Sequence, residues 1–185
     1  MKGVEALYVG ADDSNHAGQD KKGEIIAATF SINIEYSVAR NFPSTRNQRA
    51  LQRWLDLQEN DFRFLILSSE RYRHSGQNLV EALPDLVMNY LLETELAPET
   101  LMLYLDGELN EEGEDFLRNR LRGKGGIERV FSEGFPKKRK TPKAKKRKGM
   151  YCPALVYYAD ILANRLYRTE TFKTLSQHEK FVGIR

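Results

Sequence analysis

Cysteine is almost missing: Cys152 stands alone among 185 residues. No intrachain disulfide can form, which fits a reducing, cytoplasmic setting. Histidine is scarce as well, three residues in all, and no Cys/His cluster with the ligand spacing of a zinc site occurs. Long apolar runs are absent. None approaches the roughly 20 residues of a membrane-spanning helix, so a membrane is not an expected partner. The first ten residues, MKGVEALYVG, hold one lysine and a short apolar stretch that runs directly into a strand pattern, which is not the make-up of a signal peptide. A glycine-rich phosphate loop is missing too. GKGG at 123–126 follows a helical pattern and precedes a strand pattern, the reverse of the phosphate-binding order, and reads as a turn. No internal repeat is present.

Charge, by contrast, is present and unevenly placed. The formal net charge is +3. Residues 137–148, KKRKTPKAKKRK, hold nine cations and no acid: Lys137, Lys138, Arg139, Lys140, Lys143, Lys145, Lys146, Arg147 and Lys148. Without those nine the rest of the chain carries about −6 by the same formal count. The chain therefore reads as one domain spanning 1–185, mildly acidic, with a basic segment at 137–149 that is expected to be mobile. Pro136 and Pro142 argue against a helix there. A dense, unbalanced run of cations points to nucleic acid as a partner. A solubilising loop or a localisation signal is the plainer use of such a run.

Hydrophobic patterning predicts strands at 4–12 and 24–34 and an extended segment at 36–42. A helix follows from a Ser44 or Thr45 cap to about 58, with Trp54 as a core anchor. Then come a strand at 62–68 and a helical stretch at 77–95, kinked or divided at Pro84. Next are a strand at 101–105, a helix at 110–121 capped by Asn110 with Phe116, Leu117 and Leu121 buried, and a strand at 127–133. The last strong pattern is an apolar helix at 152–168 with Pro153 in its first turn. On that helix Leu155, Ala159, Leu162 and Leu166 form one stripe, and Tyr157, Asp160, Asn164 and Tyr167 form a polar one beside it. Residues after 169 read as a packing tail. Strands alternating with helices predict an α/β fold, a mixed sheet of about five strands flanked by helices.

Within that order the acids are conspicuous. The first apolar strand ends on Asp12 and Asp13, and the strand LMLYL ends on Asp106. In open α/β sheets the working edge lies at the carboxyl ends of the strands. Asp pairs also open turns, but like charges delivered to one sheet edge resist ionising together, and a bound cation is the physical remedy. Asp160, the only acid in its helix, could join from one face. Such a set is all oxygen, which suits Mg²⁺ or Mn²⁺. Two such ions can activate water and stabilise a leaving oxygen in phosphodiester cleavage. Glu70 and Glu108 are weaker candidates, and His16 reads as a loop histidine. Cys152 reads as a buried structural cysteine rather than a nucleophile.

These residues resemble the ribonuclease H fold, and most closely type 2 ribonuclease H. Gly10-Ala11-Asp12-Asp13-Ser14 is similar to that family's first-strand Gly-x-Asp-Glu-Ala-Gly. Asp106 in LYLDG matches its next strand-end acid, and the stretch 159–168, ADILANRLYR, is similar to its helix motif Ala-Ser-Ile-Leu-Ala-Lys-Val-x-Arg. The resemblance spans about residues 4–168 and implies a metal-dependent nuclease with Asp12, Asp13, Asp106 and Asp160 as catalytic metal ligands. Two features of the family are missing. Its Gly-Arg-Gly, which reads an RNA 2′-hydroxyl, is replaced by Ser14-Asn15-His16-Ala17-Gly18, and its fourth acid has no counterpart in 134–140. Asp160 stands where the family has a helix serine.

Three function classes follow: a Mg²⁺- or Mn²⁺-dependent nuclease acting on DNA, RNA or a hybrid, a non-catalytic nucleic-acid binder on the same fold, and a small-molecule phosphotransferase. The missing phosphate loop counts against the third.

Overall fold

Alternation along the first strand sets the architecture. In β1 (Lys2–Asp13), Leu7, Val9 and Ala11 point to one side, and Tyr8 and Gly10 to the other. Both sides are covered by helices, as a strand with two apolar faces requires. The computed structural model describes residues 1–14, 23–43, 47–57, 60–68, 75–135 and 150–185. The basic run at 137–148 and the candidates His16 and Glu70 lie outside them.

The elements that follow are β2 (Glu24–Ser31), a 3-10 turn (Ile34–Ser37), β3 (Ala39–Phe42), α1 (Gln48–Leu55), β4 (Asn60–Leu67) and α2 (Ser75–Thr94). Then come β5 (Leu96–Asp106), α3 (Glu111–Leu121), β6 (Arg129–Phe135), β7 (Met150–Pro153), α4 (Ala154–Thr169), α5 (Phe172–Ser176) and β8 (Phe181–Ile184). The main sheet has the order β6-β5-β1-β2-β4-β8, and β3 pairs with β7 in a separate ribbon. β1 is antiparallel to β2 and parallel to β5, and β5 is parallel to β6. This is the mixed, helix-flanked sheet that the sequence predicts, with six strands rather than about five. Among the described residues no helix is long and apolar enough to cross a membrane.

The two faces hold separate cores. Leu79, Leu83, Leu86 and Leu91 of α2 and Leu117 and Leu121 of α3 cover Leu7, Val9, Ala11, Ile26 and Leu103. On the other side Leu155, Val156 and Ile161 of α4 and Trp54 of α1 pack with Ile25, Ala27, Phe64 and Tyr104.

Several local expectations change. The helix α1 is shorter than its pattern, with Asn47 as cap, its side chain accepting from Ala50 N at 3.1 Å. α2 runs through Pro84 as one element, because the buried neighbours Ala82, Leu83, Leu86 and Val87 hold that turn in place despite the lost donor. Phe116 is exposed, lying on the solvent side of α3 from Leu117. Residues 150–153 form a strand, since Cys152 pairs with Arg40, and Pro153 caps α4 rather than entering it. The FVGI patch of the tail is the sixth strand, parallel to β4.

At the far end of β4, Arg63 is buried at 2 % exposure on a site read from sequence only as strand. Its guanidinium donates to Asp61 at 2.9 Å, Glu93 at 2.7 Å and Asn89 at 3.1 Å, and lies 5.3 Å from the Tyr90 ring centre. Lys180 ties the β8 approach to the same Asp61 at 3.0 Å. Removing one partner of a buried pair is costly, but Glu93 is half-exposed and can rehydrate. Arg63→Met is therefore expected to cost about 2–3 kcal/mol, read as a lower urea midpoint at unchanged slope.

Candidate carboxylate site

Register brings two of the predicted acids side by side. Ala11 pairs with Leu105 in the parallel ladder of β1 and β5, so Asp12 and Asp106 occupy the next rung at adjoining strand ends. Neighbouring strands lie about 4.8 Å apart. Alternation then decides the faces. Asp12 follows Tyr8 and Gly10, and Asp106 follows Met102 and Tyr104, so both side chains sit on the face covered by α4. Asp12 is buried, and its Oδ1 accepts from Asp13 N at 2.7 Å; Asp106 is half-buried.

Asp160 reaches the same face from α4. Its carboxylate is fixed by Asn164 one turn on, whose Nδ2 donates to Asp160 Oδ1 at 3.0 Å and to Asp160 O at 2.9 Å. The helix is seated by two features of the sheet. The Thr29 hydroxyl donates to Leu155 O at 2.8 Å. Gly10 leaves room for the α4 backbone, since a Cβ there would overlap Leu155 C and Val156 N. Thr29 does not stand out in the sequence, because it carries no site chemistry, and Gly10 is legible there only as the first residue of the first-strand motif.

Cys152 reports the electrostatics. Its buried thiol is pushed up to about 12, first by burial and then by the negative charges of Asp106, Asp12 and Asp160. Three acids remote in sequence thus act on one sulfur. A buried thiol raised in this way is held protonated, in keeping with a structural cysteine. The phenol of Tyr157 is also raised, first by burial and further by Asp160.

Asp13 parts from the other three. It continues the Leu7, Val9, Ala11 side and faces α2 and α3, because adjacent strand residues point to opposite faces. Its neighbour there is Glu24, diagonal across the ladder in which Asp13 pairs with Ile26. Glu24 is buried at 2 % exposure and went unremarked in the sequence because it begins a strand. Glu108 is exposed beyond the turn after Asp106, where Gly107 adopts φ 110°. Non-glycine residues rarely take that conformation.

The donors available are carboxylate oxygens, the right chemistry for Mg²⁺ or Mn²⁺. Their spacing is more open than their placement: among the described residues no group of three or more His, Cys, Asp or Glu side chains is gathered closely enough to hold a metal ion.

No family model matches the chain, and no curated protein matches it. Among solved structures it is similar to a chain from the structure of the PCNA:RNase HII complex from Archaeoglobus fulgidus. The two are 14% identical, with 95% of this chain and 81% of that chain covered and a TM-score of 0.46.

Proposed function

We propose that this protein is a ribonuclease H-like, divalent-metal-dependent nuclease that hydrolyses phosphodiester bonds of nucleic acid at Asp12, Asp106 and Asp160. The observation that carries the reading is the shared face. Strand register puts Asp12 and Asp106 at adjoining strand ends, and α4, which packs on the same face of the sheet, carries Asp160. Mg²⁺ or Mn²⁺ would supply an activated water and charge stabilisation for the leaving oxygen. The chain's own residues do the positioning. Asn164 orients Asp160, Thr29 and Gly10 fix the height of α4 over β1, and the apolar packing of Leu155 and Val156 limits water behind the acids. Asp13 is left out of this set by its face, and the cations of 137–148 are the expected contacts to the nucleic-acid backbone.

The test is a panel of labelled single-stranded, duplex, hybrid and branched substrates incubated with Mg²⁺, Mn²⁺ or EDTA. Cleavage of at least one substrate with either metal is expected, with none in EDTA. Either ion should also raise the melting temperature, as a ligand selective for the native state must. Cleavage that survives EDTA, or no cleavage and no thermal shift with either ion, would remove the metal-dependent reading and leave a nucleic-acid binder.

A further inference from the structure

Beyond the acids, α4 carries a second feature that the nuclease reading does not use. A groove of about 570 Å³ runs between α1 and the C-terminal half of α4. Gln48, Arg49 and Gln52 form one wall, and Asn164, Arg165 and Arg168 the other. Three guanidinium groups therefore line one concave surface. Among the described residues no carboxylate pairs with any of them; exposed arginines elsewhere, such as Arg120 and Arg122, also lack an acid partner, so what sets these three apart is that they share one concave surface. Uncompensated like charges in a groove repel one another, and an anionic ligand relieves that repulsion.

The groove and the carboxylate site share Asn164. Asp160, Asn164 and Arg168 recur every four residues and so line one face of α4. Asn164 is buried, holds Asp160 through its amide and also lines the groove. From Asp160 to Arg168 is about 12 Å along the helix, or roughly three to four nucleotides at 3.4 Å of axial rise each. Planar guanidinium forks match phosphate oxygens two at a time. The wall opposite offers the amide of Gln48, a donor suited to phosphate or sugar without carrying charge, while the Gln52 amide donates to Asp56 Oδ1 at 3.0 Å.

We infer that the Arg49, Arg165 and Arg168 groove is the track for a nucleic-acid strand, gripping its phosphates a few nucleotides from the bond held at Asp12, Asp106 and Asp160. This names the substrate-binding surface of the proposed nuclease and rests on that reading for its orientation, but not for its chemistry.

The experiment uses full-length protein in EDTA, so that binding is separated from cleavage. Fluorescein-labelled single-stranded, duplex and hybrid oligonucleotides are titrated by anisotropy across a range of NaCl. Arg49→Ala/Arg165→Ala/Arg168→Ala is compared with wild type and with a control triple at the C-terminal end of α3 and its cap, Arg118→Ala/Arg120→Ala/Arg122→Ala. All six side chains are exposed, and circular dichroism confirms that each variant is folded. The groove triple is expected to bind the preferred oligonucleotide at least about tenfold more weakly at 0.1 M salt, with the slope of log K against log salt shallower by about 2–3. The α3 triple should keep both affinity and slope. Unchanged binding by the groove triple, or an equal loss in the α3 triple, overturns the inference. So does a poly-glutamate peptide of matched charge that displaces the oligonucleotide equally well. The two readings fail separately. A groove triple that loses binding while wild type cleaves nothing with Mg²⁺ or Mn²⁺ refutes the nuclease and keeps the groove. Wild-type cleavage with unchanged binding in the groove triple does the reverse.

Discussion

Asp12→Asn is expected to lower metal-dependent cleavage by at least about a thousandfold while the protein stays folded. A metal-assisted site supplies several kcal/mol of transition-state stabilisation, and each 1.36 kcal/mol is a factor of ten in rate. The amide oxygen of Asn can still accept from Asp13 N, the hydrogen bond that Asp12 Oδ1 makes at 2.7 Å, so the local backbone has no reason to change. What is lost is the charge. Asp106→Asn should behave alike, because each acid follows the last paired rung of the parallel ladder, Ala11 with Leu105, and alternation puts both on the same face. Asp13→Asn is the informative contrast. Its side chain lies across the sheet beside Glu24, and its cost in cleavage should stay under about tenfold, a second-order effect of altered field rather than a lost ligand. The same order should hold in the thermal shift caused by Mg²⁺ or Mn²⁺: absent in Asp12→Asn, retained in Asp13→Asn. If Asp13→Asn, folded as wild type, is as damaging as Asp12→Asn, the face assignment is wrong.

That contrast shows what patterning can and cannot reveal. The apolar runs ending on Asp12 and Asp106 were legible as strands, and their alternation with helices predicted the helix-flanked mixed sheet. Alternation alone would have put Asp12 and Asp13 on opposite faces, yet as neighbours in sequence they read as one pair. Register is a tertiary property, so only the β1–β5 ladder reveals that Asp106 accompanies Asp12. The lone acid of α4 was visible as a carboxylate in an apolar helix. Its partner Asn164 lay in the same stripe, but the hydrogen bond between them needed side-chain geometry. Strand β8 was missed because four residues, FVGI, are too few for a period, and they become a strand only because β4 offers an edge. Arg63 was missed for a similar reason. A cation in an alternating strand reads as solvent-facing until Asp61, Asn89 and Glu93 are seen to close over it.

Gly10→Ala should damage both stability and activity, although it adds one methyl to a residue that touches no substrate. The new Cβ would overlap the backbone of α4 at Leu155 and Val156. A side chain could swing aside; a helix backbone cannot, so α4 must lift from β1 or β1 must bow. Lifting stretches the Thr29 hydroxyl bond to Leu155 O and loosens the packing of Leu155, Val156 and Ile161 on the sheet. Overpacking of this kind, with a weakened buried hydrogen bond, costs about 2–4 kcal/mol, or roughly 5–15 °C in melting temperature for a chain of this size. Asp160 follows Leu155 by five residues, about 7.5 Å along the same rigid helix, so it moves with it. A displacement near 1 Å at a reacting centre costs about a hundredfold in rate, and that loss should persist at temperatures where the variant is fully folded. Gly3→Ala provides the control on the same strand: a Cβ there meets nothing within 4 Å, and both melting temperature and cleavage should match wild type. Wild-type behaviour from Gly10→Ala would mean that α4 does not rest on β1 at this point, and the height of Asp160 over Asp12 and Asp106 would then have to be set by some other contact.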